Sequence, residues 1–284
     1  MEQMLYLECY AGISGDMFVA SLLDLGVETD YLLNNLQTLP LEGYKINISR
    51  VKKMALDACD FNVILDIDNH DHDMEYLYEE NHHHEHGHEH EHGHAHEHHT
   101  HEEHNETHHH HHHEHRNLSD ITAIIDNSQL TDNAKAIARK IFQIIAEAEA
   151  KAHGTTVENV HFHEVGAVDS IVDIAAAAIC LDKLNITKVA CSPLSEGKGF
   201  VNCQHGAIPI PVPAVVNIAS AHNLKLHFTG AKGEFITPTG AAIIAAIKTD
   251  DVLPENFTIE KVGVGAGKRQ YDIPNVVRAM IIKY

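Results

Sequence analysis

Residues 4–25 read MLYLECYAGISGDMFVASLLDL: an apolar run that suits a strand, a turn with two glycines, and an apolar stripe that suits a helix. Met4 to Cys9 is expected to form the first strand and Ala11-Gly-Ile-Ser-Gly-Asp16 the turn. The helix then runs to about Leu25, where Gly26 stops it. Outward from this unit the alternation continues. Helical spacing recurs near Tyr31 to Leu36 and at Leu118 to Ile125, Asn133 to Ala152, Ser170 to Leu184, Ala214 to Ala221 and Ala241 to Ile247. Strand patterns occupy Tyr44 to Val51, Cys59 to Ile67, Lys188 to Cys191, Leu224 to Thr229, Phe257 to Val264 and Val276 to Ile282. This alternation predicts an α/β fold. Several connections are too short for a crossover helix, so the sheet is expected to be mixed, with flanking helices.

The stretch 69–116 breaks the pattern. It holds 22 of the 28 histidines and 13 acidic residues, with no lysine and no arginine before Arg116. Runs such as His82-His83-His84-Glu85-His86-Gly87-His88 place imidazoles one or two residues apart, so a flexible backbone can fold several around one ion. The stretch is predicted to be a long disordered His-rich insertion that binds a borderline divalent metal through residues such as His82, His83, His84, His86 and His88. Low-complexity filler is the plainer alternative. Loop closure costs only about 0.6 kcal/mol per doubling of length, so 1–68 and 117–284 are expected to form one globular domain around it.

Among the 284 residues 44% are apolar, enough for a core without staples. Five scattered cysteines, with no CxxC pair, read as reduced thiols in a cytoplasmic protein. No leader pattern opens the chain, and its most apolar segment, Ile171 to Leu181, contains Asp173 and is too short to span a bilayer. Neither export nor a membrane is expected. A net charge of −21 argues against nucleic acid and for cations as ligands.

Four clusters carry chemistry. Gly12, Ser14, Gly15 and Asp16 stand at a strand-to-helix junction, where N–H groups suit a phosphate; ordinary capping by Ser14 or Asp16 fits equally, and Asp16 is also placed to face a metal. His161, His163 and Glu164, followed by Asp169 and Asp173, form the densest ligand set outside the tract, with alternate residues of an extended segment sharing a face. Asp169 and Asp173 lie one helical turn apart among apolar neighbours, where like charges are costly without a cation or a proton. A capping Asp169 with a solvent-facing Asp173 is the bland alternative. Glu234 and Thr237 to Gly240 suit an anion or a simple cap, and Gly263, Gly265 and Gly267 with Lys268 and Arg269 read as an anion-binding loop or a flexible hairpin.

Taken together, YLECYAGISGDMFVASLLDLG, HFHEVGAVDSIVDI, HGAIPIPVPA, TPTGAA and GVGAGKRQYDIPNVVR, with a His-rich insertion in the right gap, resemble the nickel-insertion protein family of nickel-pincer cofactor synthesis. The resemblance implies a nickel insertase, a cyclometallase of the lyase class. It places Ni(II) into pyridinium-3,5-bisthiocarboxylic acid mononucleotide and makes one Ni–C and two Ni–S bonds while consuming CTP. The product serves lactate racemase-type enzymes. Relatives carry a further C-terminal domain to which the resemblance assigns CTP and Mn²⁺ or Mg²⁺. Here the sequence stops at Tyr284, so that domain is expected in trans or through a frameshift. His163, Glu164 and Asp169 are the expected catalytic residues, and His161, His163, Glu164 and Asp173 the expected metal ligands. The Gly12–Asp16 turn or the Gly263–Gly267 loop is the expected phosphate anchor. A nickel store or chaperone without catalysis, and a metal-dependent hydrolase built on the HxHE cluster, are the competing functions; association of identical copies stays open.

Overall fold

The computed structural model describes residues 2–66, 116–160, 162, 167–203 and 206–284. The predicted ligands His161, His163 and Glu164, and His82, His83, His84, His86 and His88 with the rest of the insertion, lie outside the described residues.

The described residues form a mixed α/β fold. Its centre is a six-stranded sheet of β1 (Gln3–Glu8), β2 (Tyr44–Lys53), β3 (Leu56–Leu65), β4 (Val189–Cys191), β9 (Thr258–Ala266) and β10 (Val276–Lys283), in the order β2-β3-β9-β10-β1-β4. The pairs β1–β4 and β3–β9 are parallel and the others antiparallel, as a mixed sheet requires. Two small sheets stand beside it: β5 (Leu194–Lys198) pairs with β8 (Leu226–Lys232), and β6 (Phe200–Cys203) with β7 (Gly206–Pro209).

Helix α1 (Gly15–Asp24) lies across β3, β9 and β10, and it can do so because β9 presents glycines to it. A Cβ on Gly265 would stand 2.0 Å from the Met17 carbonyl oxygen, and one on Gly263 2.2 Å from that of Ser21. Helix and strand therefore touch backbone to backbone. Helix α2 (Thr29–Leu36) follows, and beyond the insertion come α3 (Leu118–Asp126), α4 (Asp132–His153) and α5 (Val168–Leu184). Thr131 caps α4 by accepting the Ala134 N–H, and Gly154 ends it in the left-handed region. Ile171 to Leu181 of α5 are all buried except Asp173, so this helix is apolar on every side and sits centrally, against α1, α2 and α4. Its run Ala175–Ala178 keeps the neighbouring helices close. Helices α6 (Pro213–Ala221) and α7 (Pro238–Ile247) close the layer against α4, each with a proline in its first turn, where no N–H is needed.

Three readings need correction. No strand was expected between Cys191 and Leu224, yet β5, β6 and β7 lie there; strands of four or five residues are too short for periodicity to register. Gly263, Gly265 and Gly267 do not form a loop. Gly263 and Gly265 are inside β9, in register with Ala279 and Val277, and the Gly267 N–H donates to the Asn275 carbonyl at 3.0 Å. Close approach to α1, not an anion, accounts for their missing side chains. Finally, Asp169 does not cap α5: the cap position is Ala167, with no side-chain bond.

Gly265→Ala should destabilise the fold by about 3 kcal/mol, the upper end for overpacking, because the clash is with backbone that no rotamer change relieves. Urea unfolding checks this; a loss below about 0.5 kcal/mol, ordinary for a surface change, would contradict the packing described.

Candidate functional site

Three backbones converge where β1 hands the chain to α1. Gly12 adopts φ +82°, and a Cβ there would lie 2.0 Å from the Phe235 carbonyl oxygen. The Ile13 N–H donates to that same oxygen at 2.9 Å, and the Thr237 N–H donates back to the Ile13 carbonyl at 3.1 Å. Gly240 completes the junction, since a Cβ on it would meet the Ile13 carbonyl at 2.2 Å. Thr237 caps α7 by accepting the Gly240 N–H at 3.1 Å, so the capping reading of Thr237 to Gly240 holds.

Against this junction packs α5. A Cβ on Gly15 would stand 2.7 Å from Asp173 Oδ2 and 3.0 Å from Thr239 Cγ2, so glycine is what lets the Asp173 carboxyl rest on the turn. That carboxyl accepts the Asp16 backbone N–H. The Asp16 carboxyl in turn accepts the Met17 N–H at 2.8 Å and the Ser14 hydroxyl. Two aspartates thus share one helix N-terminus. Asp169 lies one turn earlier on α5 and adds its charge to theirs. At the turn of Gly12, Ser14, Gly15 and Asp16, read as a phosphate anchor or a plain cap, the Asp16 and Met17 N–H groups are met by carboxyls, and two acids there disfavour an anion. The solvent-facing reading of Asp173 fails too, because its side chain is turned onto Gly15.

Burial, with Asp16 and then Asp169 beside it, pushes the Asp173 carboxyl well above the usual range. Burial likewise raises Asp16, held back by the Ser14 hydroxyl and by Lys268. Lys268 reaches this place from beyond β9 and is fixed by Asp60 at 2.6 Å and the Phe61 carbonyl at 3.1 Å. Lys53 joins it; burial and then Lys268 lower its affinity for a proton, while Asp60 and Asp16 raise it. Arg269 turns away to Glu234, at 2.8 Å. Neither Lys268 nor Arg269 therefore faces a glycine loop. Among the described residues no group of three or more His, Cys, Asp or Glu side chains is placed to hold a metal. Cys9 is buried, its thiol pushed far up by burial. Sequence reasoning missed Lys53 and Asp60, which arrive only because β3 pairs in parallel with β9 at Cys59 and Gly265. No local pattern announces that pairing.

The family model described as nickel insertion protein matches residues 5–283. The chain belongs to this family. It is 51% identical over 284 residues to the pyridinium-3,5-bisthiocarboxylic acid mononucleotide nickel insertion protein of Alkaliphilus metalliredigens, covering 100% of this chain and 61% of that one. Relatives of the same description are 45% identical in Clostridium acetobutylicum, with 98% and 64% covered, and 41% identical in Acetivibrio thermocellus, with 98% and 60% covered. The chain thus spans about three fifths of the length of these nickel insertion proteins. No solved structure matches it.

A carboxyl raised in the folded state contributes stability below its ordinary range and loses it as pH rises through the raised value. Asp173→Asn keeps an acceptor for the Asp16 N–H but removes the charge. It should therefore leave Tm at pH 4 nearly unchanged and raise it at pH 8 by roughly 2–4 °C, the effect of about 1 kcal/mol in a chain of this size. A lower Tm at pH 8 would show that the two acids are not strained against each other.

Proposed function

We propose that this chain supplies the nickel-handling site of an insertase that places Ni(II) into pyridinium-3,5-bisthiocarboxylic acid mononucleotide. The observation that carries the reading is the pair of aspartates crowded onto the N-terminus of α1, with Asp169 one turn away. Forming a Ni–C bond exchanges a ring C–H for a metal: the carbon's electron pair goes to nickel and its proton to a base, while two thiocarboxylates donate through sulfur. No electron changes hands. Such a step needs a cation held next to a group that takes a proton, and two coupled carboxyls offer both, one ionised and one ready to accept. Asp16 is assigned to the ion and Asp173 to the proton, with Asp169 adding negative charge. His161, His163 and Glu164 of the segment before α5 complete the ligand set, and Lys53 and Lys268 offer cationic charge to the anionic precursor.

The chemistry defines the enzyme as a cyclometallase of the lyase class. Use of CTP with Mn²⁺ or Mg²⁺ is assigned to the part of the relatives' length that this chain does not span. Residues 69–116 form a His-rich insertion in one globular domain of 1–68 and 117–284, and collect nickel for the site. Among the described residues no helix is long and apolar enough to cross a membrane; the work proposed is cytoplasmic, on a small-molecule precursor, and self-association is compatible with it. A store or chaperone is the second reading, favoured by the 22 histidines of the tract.

Asp16→Asn and Asp173→Asn should each cut product formation at saturating nickel by roughly 100-fold or more, the low end for loss of acid–base help. Mass spectrometry of the nickel-bearing product reads this, and a wild-type rate in both variants would refute the assignment. Removing 69–116 separates the two functions. An insertase keeps its rate at saturating nickel and slows only when nickel is scarce; a store loses its capacity at every concentration.

A further inference from the structure

Glu196 is fully buried on β5, away from the aspartates, and the reaction as described makes no use of it. Its Oε1 accepts two backbone N–H groups, from Gly197 at 2.8 Å and from Phe235 at 2.7 Å. Its Oε2 is buried and has no hydrogen-bond partner among the described residues. An acid so placed is costly to keep, and a core apolar residue would fill the space more cheaply.

Phe235 is what connects it to the site. The Phe235 N–H goes to Glu196, and the Phe235 carbonyl receives the Ile13 N–H at 2.9 Å. The two residues that follow, Ile236 and Thr237, bridge to Ile13, and Ser14 then donates to Asp16. Glycine makes the clamp rigid, since a Cβ on Gly197 would stand 2.0 Å from the Gly233 carbonyl oxygen. The Phe235 ring packs on Tyr271 with centroids 4.3 Å apart, and the Tyr271 hydroxyl donates to the Glu234 carbonyl at 2.6 Å.

We propose that Glu196 is a positioning residue for the Asp16–Asp173 site, fixing through Phe235 the turn that presents Asp16. The proposal rests on the insertase reading for its consequence in turnover, while the clamp itself is independent of it. Burial, reinforced by the neighbouring Glu234, raises the Glu196 carboxyl to about 7, so the clamp changes charge at neutral pH. The charged group that faces it is Glu234 from the 233–237 segment, which is itself paired with Arg269; from β8 comes the uncharged Thr229 hydroxyl, which donates to the Glu196 backbone carbonyl at 3.0 Å. The stability Glu196 contributes is present below the ordinary carboxylate range and is lost as pH rises through about 7.

The test follows the backbone amide signals of Phe235 and Ile13 by NMR between pH 5.5 and 8.5 in the full chain, alongside insertion at saturating nickel. Both amides should titrate with one midpoint near 7 and stand still in Glu196→Gln, which keeps an acceptor oxygen but does not ionise. The insertion rate of the unmodified chain should show an inflection near pH 7, and that of the variant should lose it. Glu196→Ala, if it folds, should lower the rate roughly 100-fold, the cost of about 1 Å of misplacement. Amides that do not move in the unmodified chain, or that titrate unchanged in Glu196→Gln, overturn the clamp. An insertion profile in Glu196→Gln identical to that of the unmodified chain overturns its role in the reaction. If the unmodified chain, assayed with CTP, Mn²⁺ and the part of the relatives' length that it does not span, makes no product at any pH, the insertase reading falls, and the amide titration still decides the clamp.

Discussion

The fold turns on the absence of side chains at one place. Gly12 against Phe235, Gly240 against Ile13 and Gly15 against Asp173 let three backbones and a carboxyl occupy a volume that any Cβ would fill. Once the turn is locked in this way, α1 has one direction to run. Gly263 and Gly265 then let it settle on β9. The approach of α5 follows from the same constraint, because the alanines of its buried face tolerate α1 and α4 at short range. The position of Asp173 is thus a product of packing rather than of any attraction between acids.

That packing works against electrostatics. Two carboxyls at one helix N-terminus gain from the N–H groups of Asp16 and Met17, but each suffers the other's charge and the loss of water. Lys268, anchored by Asp60, relieves part of this without forming a direct pair with either acid. A single buried ion pair would have quenched the site; a cation held at a distance leaves both acids available to a proton or a metal.

The sequence made the strand–turn–helix opening legible because a period of two, two glycines and a period of 3.6 follow each other within 22 residues. Long helices such as α4 were equally plain, with Thr131 and Gly154 marking both ends. Reading failed where the signal is not local. The glycines of 263–267 looked like a loop because glycine is the same letter whether the backbone must turn or another backbone must come close. Asp173 could be singled out as a costly acid on an apolar helix, yet its partner Asp16 lies 157 positions away and only the tertiary junction unites them. Lys53 and Asp60 belong to a hairpin whose alternation gives no hint of the helix N-terminus it supports.

The donor set also bears on why an insertase would keep two kinds of nickel ligand. Imidazoles in a dense tract hold a borderline ion well but release it slowly and only to a better acceptor, whereas carboxylates are harder donors and bind such an ion less tightly. On the proposed reading, a site built on Asp16 and Asp173 would compete poorly with the carbon and sulfur donors of the precursor. Transfer to the product would run downhill for that reason. A site made of cysteine thiolates would hold the metal against the very sulfurs meant to receive it, and the described cysteines Cys9, Cys59, Cys180 and Cys191 are all kept from ionising by burial. Acids that bind weakly, and that give up or accept a proton as the ion departs, suit delivery better than storage.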